Sequence, residues 1–202
     1  MKKIALLITM LLCAIAIPAA AQEATSILDQ SAAALKQAGN AKIDFSYVSG
    51  GSAANGSIKL QGSKFVLNMG GLVTWFDGKT MWQYNKKNEE VSVTEPSAAD
   101  LAKINPYSFL SFYKKGYKAS MGKSTASDYQ VTLAGSGAGR YKKVVLAVSK
   151  KTSYPSSITL TTESGHTVSI VCKSVHKNQK FSASTFRYDK KKFPKAEIVD
   201  LR

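Results

Sequence analysis

The groups in this chain that could perform chemistry are few and scattered. His166 and His176 stand ten residues apart beside strand patterns, with no histidine or carboxylate at a metal-ligand spacing near either. Both read as surface histidines on a strand or turn. Cys172, in Val168-Ser-Ile-Val-Cys172, is in phase with Val168 and Ile170, as a small buried strand residue would be rather than a catalytic thiol. The adjacent carboxylates Glu89 and Glu90 fall in a turn pattern, where neighbours point to opposite faces. Gly135-Ser-Gly-Ala-Gly139 is neither a nucleophile elbow nor a phosphate cradle, because no helix pattern follows it and no Lys-Ser/Thr pair ends it. Catalysis needs ionisable groups that converge, and none do. The sequence reads as a binder, not an enzyme, with no metal and no cofactor.

What the chain has in excess is apolar surface. Trp75-Phe-Asp-Gly-Lys-Thr-Met-Trp-Gln-Tyr84 reads as two aromatic half-strands hinged on Asp77-Gly78, a strong signal for a two-residue type I′ turn. That register sets Phe76 against Lys79, Trp75 against Thr80 and Val73 against Trp82. Val73, Trp75, Trp82 and Tyr84 then share one face, and Leu72, Phe76 and Met81 the other. Either both faces are covered, by core on one side and a packed helix on the other, or one of them lines a pocket for a hydrophobic ligand.

The elements around this hairpin are legible from period. Ile27, Leu28, Ala32 and Leu35 predict a helix from about Glu23 to Ala38, ended by Gly39-Asn40. Alternation then predicts a strand through Ile43, Phe45 and Tyr47. A turn at Gly62-Ser63 sets Leu60 opposite Phe65 and Ile58 opposite Leu67, on one surface. With the hairpin and Val91-Ser-Val93, the first half is a continuous antiparallel meander. Glu95-Pro96 interrupts it. Ser97 and Asp100 have the spacing of a capping box, with Leu101 and Ile104 following. Asn105-Pro106 restarts a second short helix that carries Phe109, Leu110, Phe112 and Tyr113 and closes at Lys114-Lys115-Gly116. So hydrophobic an insertion must lie against something apolar, as ordinary core or as a movable lid. Strand patterns resume at Tyr129–Leu133, Tyr141–Val148, Ile158–Leu160, Val168–Cys172 and Thr185–Tyr188, and the segment from Phe193 to Arg202 can supply one edge strand.

Lys2-Lys3, an apolar run from Ile4 to Ile17 and Pro18-Ala-Ala-Ala21 make up a secretory leader, with cleavage expected after Ala21. The chain then divides into a leader, 1–21, and a single domain, 22–202, exported and free of the membrane. Only Cys172 remains after processing, so no intramolecular disulfide forms. The formal charge is +15, from 28 Lys and Arg against 13 Asp and Glu, and the leader accounts for two of the lysines. The excess lies in pairs and triplets such as Lys150-Lys151 and Lys190-Lys-Lys192, as at strand ends and turns. Export argues against a nucleic-acid partner; an anionic lipid surface or an acidic protein stays open.

In this order of elements, the chain resembles the LolA-like periplasmic lipoprotein carriers. The resemblance rests on the leader, the single helix, the meander with Asp77-Gly-Lys-Thr-Met-Trp-Gln-Tyr-Asn85, the helical insertion and the closing Ile198-Val-Asp-Leu-Arg202. The insertion Ile104–Tyr113, the following Lys-Lys-Gly-Tyr117 and the terminal Asp-Leu-Arg look most like the Bacteroidota branch. It implies a mainly β, α+β fold: an incomplete antiparallel β-barrel, strongly curved, covered by an N-terminal helix and a short helical lid inserted between strands. It implies a carrier that takes acyl chains of lipoproteins into an apolar cavity and moves them toward the outer membrane. An inner-membrane lipoprotein-releasing complex would load it and an outer-membrane acceptor unload it, with the carrier a monomer. The alternative is an exported non-transporting module that binds lipid, polysaccharide or an acidic protein. The cavity and lid would be lined by Phe45, Leu60, Phe65, Leu67, Trp75, Trp82, Tyr84, Leu101, Ile104, Phe109 and Phe112. One departure is that the better-studied carriers hold the lid with an arginine on an early strand. Aligned by the hairpin, Gln61 to Lys64 fall there, with no arginine.

Overall fold

The computed structural model describes residues 19–97, 100–101, 112–114, 116–137 and 141–202. Residues 1–18, most of the expected leader, lie outside them. Helix α1, Ala19–Gln37, buries Ala24, Ile27, Leu28 and Ser31, the i, i+3, i+4, i+7 stripe of a helix with one covered face. Its start lies four residues before the one expected. Its end is as expected: Gly39 takes φ +63° and its amide donates to the Lys36 carbonyl.

The described strands form one strongly curved, unclosed sheet of twelve. They are β1 Ala41–Ser49, β2 Ser52–Gln61, β3 Lys64–Met69, β4 Leu72–Phe76, β5 Met81–Asn85 and β6 Glu90–Thr94 in the first meander. A second meander follows, β7 Tyr117–Met121, β8 Asp128–Gly135, β9 Lys143–Ser149, β10 Pro155–Thr161 and β11 Thr167–His176, and the last strand is β12 Glu197–Asp200. The order is β12-β6-β5-β4-β3-β2-β1-β11-β10-β9-β8-β7, so β1 against β11 is the seam between the meanders. Every pairing is antiparallel except that of β12, which lies parallel to β6. The incomplete barrel expected for the chain is the fold observed.

The Gly62 turn gives the anticipated register, Leu60 opposite Phe65 and Ile58 opposite Leu67. The aromatic hairpin departs from its predicted register by two residues. Trp75 faces Trp82, Val73 faces Tyr84 and Phe76 faces Met81, around a four-residue loop Asp77–Thr80. Asp77 Oδ1 accepts the amides of Lys79 (3.1 Å) and Thr80 (2.9 Å), and of Asp77 and Gly78 only the glycine has positive φ, +104°. A side-chain-closed turn therefore replaces the type I′ turn. A slip of two residues preserves the two-residue period, so the predicted division of faces survives.

Thr185–Tyr188, read as a strand, is instead part of a 3₁₀ turn over Ala183–Phe186 and the extended residues after it. Its alternating Phe186 and Tyr188 pack over the outer side of the sheet, not within it. Arg187 Nε donates to Asp77 Oδ2 at 2.9 Å, tying this C-terminal segment to the hairpin loop. Burial pushes the Asp77 carboxyl up, but the Thr80 and Lys79 amides and the Arg187 guanidinium outweigh it and hold the group below the ordinary carboxylate range. A depressed folded value stabilises the native state above the unfolded pKa of about 3.9, and that contribution is lost as pH falls through the folded value. Urea unfolding midpoints are expected to drop as the pH is lowered below about 4. Asp77→Asn should flatten that drop, and an unchanged slope in the variant would refute the assignment.

Candidate functional site

Following one face across the paired strands gives an apolar surface that runs the width of the sheet. On β8 and β9 it is Val131, Leu133, Val144, Leu146 and Val148, all buried under Ala24, Ile27 and Leu28 of α1. On β1 to β5 it is Phe45, Ile58, Leu60, Phe65, Phe76 and Met81, a second buried cluster on the same face. Phe45 lies over Gly56, where a Cβ would collide with its ring, so the glycine is what allows the aromatic to lie flat on β2. Beside and between the two clusters the same face continues through Ile43, Tyr47, Ile158, Leu160 and Ile170, and through Leu67 and Met69 on β3, all of them half-buried. These partly exposed apolar side chains form a strip that adjoins the two closed cores.

The connection from β6 to β7 touches both cores. Ser97 Oγ accepts the Asp100 amide (3.2 Å) and donates to its Oδ2 (2.7 Å), the expected capping box, and the following Leu101 packs on the Phe45–Phe65 cluster. At the other end, Tyr113 is buried in the α1 cluster and donates its hydroxyl to Asp29 Oδ1 at 2.6 Å. Lys114 Nζ lies 2.9 Å from the same oxygen. The Tyr113 hydroxyl and the Lys114 ammonium hold the Asp29 carboxyl below its usual range, while burial and Asp29 push the tyrosine up.

Residues 14–164 match the family described as outer membrane lipoprotein carrier protein LolA. The chain belongs to the LolA family. An uncharacterised conserved protein of Thermus thermophilus shares the fold, with TM-score 0.62 and 12% identity over 89% of this chain and 99% of that one. A putative outer-membrane lipoprotein-sorting domain from Vibrio parahaemolyticus aligns at TM-score 0.46 and 11% identity, covering 86% and 99%. A LolA-superfamily protein from Nitrosomonas europaea aligns at 0.40 and 12%, covering 82% and 97%. Among curated proteins, no sequence matches. The LolA family is periplasmic, and among the described residues no helix is long and apolar enough to cross a membrane.

In this LolA-family chain the residues expected to share one pocket divide between two faces. Phe45, Leu60, Phe65, Leu67 and Leu101 come together on the inner face. Trp75, Trp82 and Tyr84 do not, because strand alternation turns them outward. The outer aromatics are covered by the C-terminal segment: the Trp75 ring lies 5.8 Å from Tyr188 and 5.5 Å from Phe193, and Tyr84 lies 4.7 Å from Phe193. Val91, Val93 and Ala196 complete that closed layer. Ile104 and Phe109 lie outside the described residues, and Phe112 opens the 3₁₀ turn Phe112–Lys114.

Lys64, the cation nearest the family's lid arginine, is half-buried and neighbours Phe65 on the strand, so it belongs to the outer face. Ile158, Leu160 and Ile170 were predicted as strand residues but not as part of a site. Their face could be assigned only once β10 and β11 were known to continue the face of β1. Among the described residues no group of three or more His, Cys, Asp or Glu could hold a metal. His166 is bonded to Ser49, and His176 lies 3.4 Å from Asp44.

Proposed function

We propose that this chain is a periplasmic carrier that sequesters the acyl chains of lipoproteins against the half-buried inner strip and moves them toward the outer membrane. The observation that carries this reading is the strip itself: seven partly exposed apolar side chains on one curved face, beside two closed cores. Phe45, Leu60, Phe65, Leu67 and Leu101 form one wall of the proposed site. Binding needs no reaction. Each methylene removed from water contributes roughly 0.8 kcal/mol, so a few turns of acyl chain against this strip give tight association. The leader 1–21 is cleaved in this reading, the carrier is a soluble monomer, and it passes cargo from an inner-membrane releasing complex to an outer-membrane acceptor.

The test is a calorimetric titration with a triacylated peptide and its unacylated twin. Tryptophan emission is the wrong reporter, because Trp75 and Trp82 lie in the closed outer layer. Saturable binding of the acylated peptide alone is expected; no binding, or equal binding of both, would remove the acyl-chain reading. Transfer of a bound lipoprotein between two membrane preparations then separates a carrier from a module that only holds lipid.

A further inference from the structure

Four loops at one end of the sheet bring cations together without matching carboxylates. The chain leaving α1 is bound to the segment after β11, where Asn178 N donates to Ala38 O (3.4 Å) and Gln179 N to Asn40 O (2.8 Å). From that segment Lys177 Nζ lies 6.0 Å from the centroid of the Tyr154 ring, in the turn between β9 and β10. In the same turn Lys150 N donates to Ser127 O (2.9 Å) and Lys150 Nζ to Thr125 O (2.7 Å), which reaches the loop between β7 and β8. The connected surface carries Lys36, Lys123, Lys150, Lys151, Lys177 and Lys180, all exposed. The single carboxylate in these loops, Asp128, accepts hydrogen bonds from Ser127 and Ser156.

The opposite end of the sheet is different. There the turn between β5 and β6 sets Lys86 and Lys87 beside Glu89 and Glu90, and the turn between β10 and β11 adds Glu163, so cations and carboxylates are interleaved. The six cations of the four loops thus stand with one carboxylate beside them. A protein partner usually needs an apolar anchor at the centre of its interface. None of the large exposed hydrophobics, Val48, Leu72, Val171, Ile198 and Leu201, lies in the four basic loops. Six ammonium groups on long stems, spread over four turns, suit a surface of diffuse negative charge better than a shaped protein.

We propose that this basic end docks the protein on lipid surfaces rich in anionic headgroups. The proposal is independent of the acyl-chain reading, and its test contains no lipoprotein. Protein purified from the periplasm is co-sedimented with vesicles of phosphatidylglycerol and phosphatidylethanolamine, and with vesicles of phosphatidylcholine, at low salt and at about 0.5 M salt. Binding is expected only to the anionic vesicles at low salt. The triple variant K123E/K151E/K180E, none of whose three altered side chains carries a hydrogen bond or ion pair among the described residues, should bind at least tenfold more weakly. The variant K86E/K87E/K142E at the opposite end should keep its affinity. Equal binding to phosphatidylcholine, an unimpaired first variant, or binding to polyglutamate without binding to vesicles would each overturn the proposal, the last by assigning the surface to an acidic protein.

Discussion

Ile170→Lys is expected to abolish measurable binding of a triacylated peptide, while Val171→Lys, one residue along β11, leaves it intact. The two positions differ in face alone. Ile170 pairs with Ile158 and Tyr47 on the inner strip, whereas Val171 is 49% exposed on the outer side, opposite Ser46 and Ser157. A lysine in the strip must either hold its ammonium against an acyl chain or keep the chain away. Loss of the apolar contact together with an unpaired charge costs about 3 kcal/mol or more, roughly a hundredfold in affinity. Both substitutions sit on partly exposed strand positions, so unfolding curves should remain cooperative. If the two variants bound alike, the inner strip could not be the acyl site. Docking on anionic vesicles should survive Ile170→Lys, which keeps the two proposals separable.

The second large effect concerns stability. Phe186 is fully buried beneath the C-terminal segment, edge-on to Phe181 at 5.6 Å, in the turn that lies against β3. Phe186→Ala leaves a cavity there, and urea denaturation should report a loss of about 3–5 kcal/mol. Affinity for the acylated peptide is expected to be unchanged under native conditions, because this ring is on the outer side of the sheet. A loss below about 1 kcal/mol would mean that the segment is not an integral part of the core.

How much of this was legible in the sequence depends on the range of the interaction that decides each feature. Helix α1, the Gly62 turn and the capping box at Ser97 are local, and residue spacing located each of them. The faces of the aromatic hairpin were legible although its register was not. Alternation is insensitive to a shift of two residues, while the register depended on whether Asp77 would close the loop with its own carboxylate. The short strand β7 passed unnoticed because Tyr117, Ala119 and Met121 alternate only weakly with Lys118 and Ser120. Thr185–Tyr188 misled for the opposite reason: its alternation reflects burial over another layer, which period cannot distinguish from a place in a sheet.

The candidate site was half legible. Phe45, Leu60, Phe65 and Leu67 belong to hairpin neighbours, so local pairing put them together. Trp75, Trp82 and Tyr84 were grouped with them because aromatic content suggested a pocket. Which face closes was decided by Tyr188 and Phe193, more than a hundred residues away in the chain. Nothing local could supply that.

The seam has a consequence for how the molecule comes into being. Each meander is made of neighbouring hairpins and can form from nearby contacts, but β1 meets β11 only across well over a hundred residues of chain. Such distant pairing carries the largest closure entropy and is expected late in folding. The inner strip straddles this seam, with Ile43 and Tyr47 on one side and Ile158, Leu160 and Ile170 on the other. Under the proposed function, the acyl-binding strip is therefore complete only once this distant pairing is made, and a half-folded copy would be unable to hold cargo.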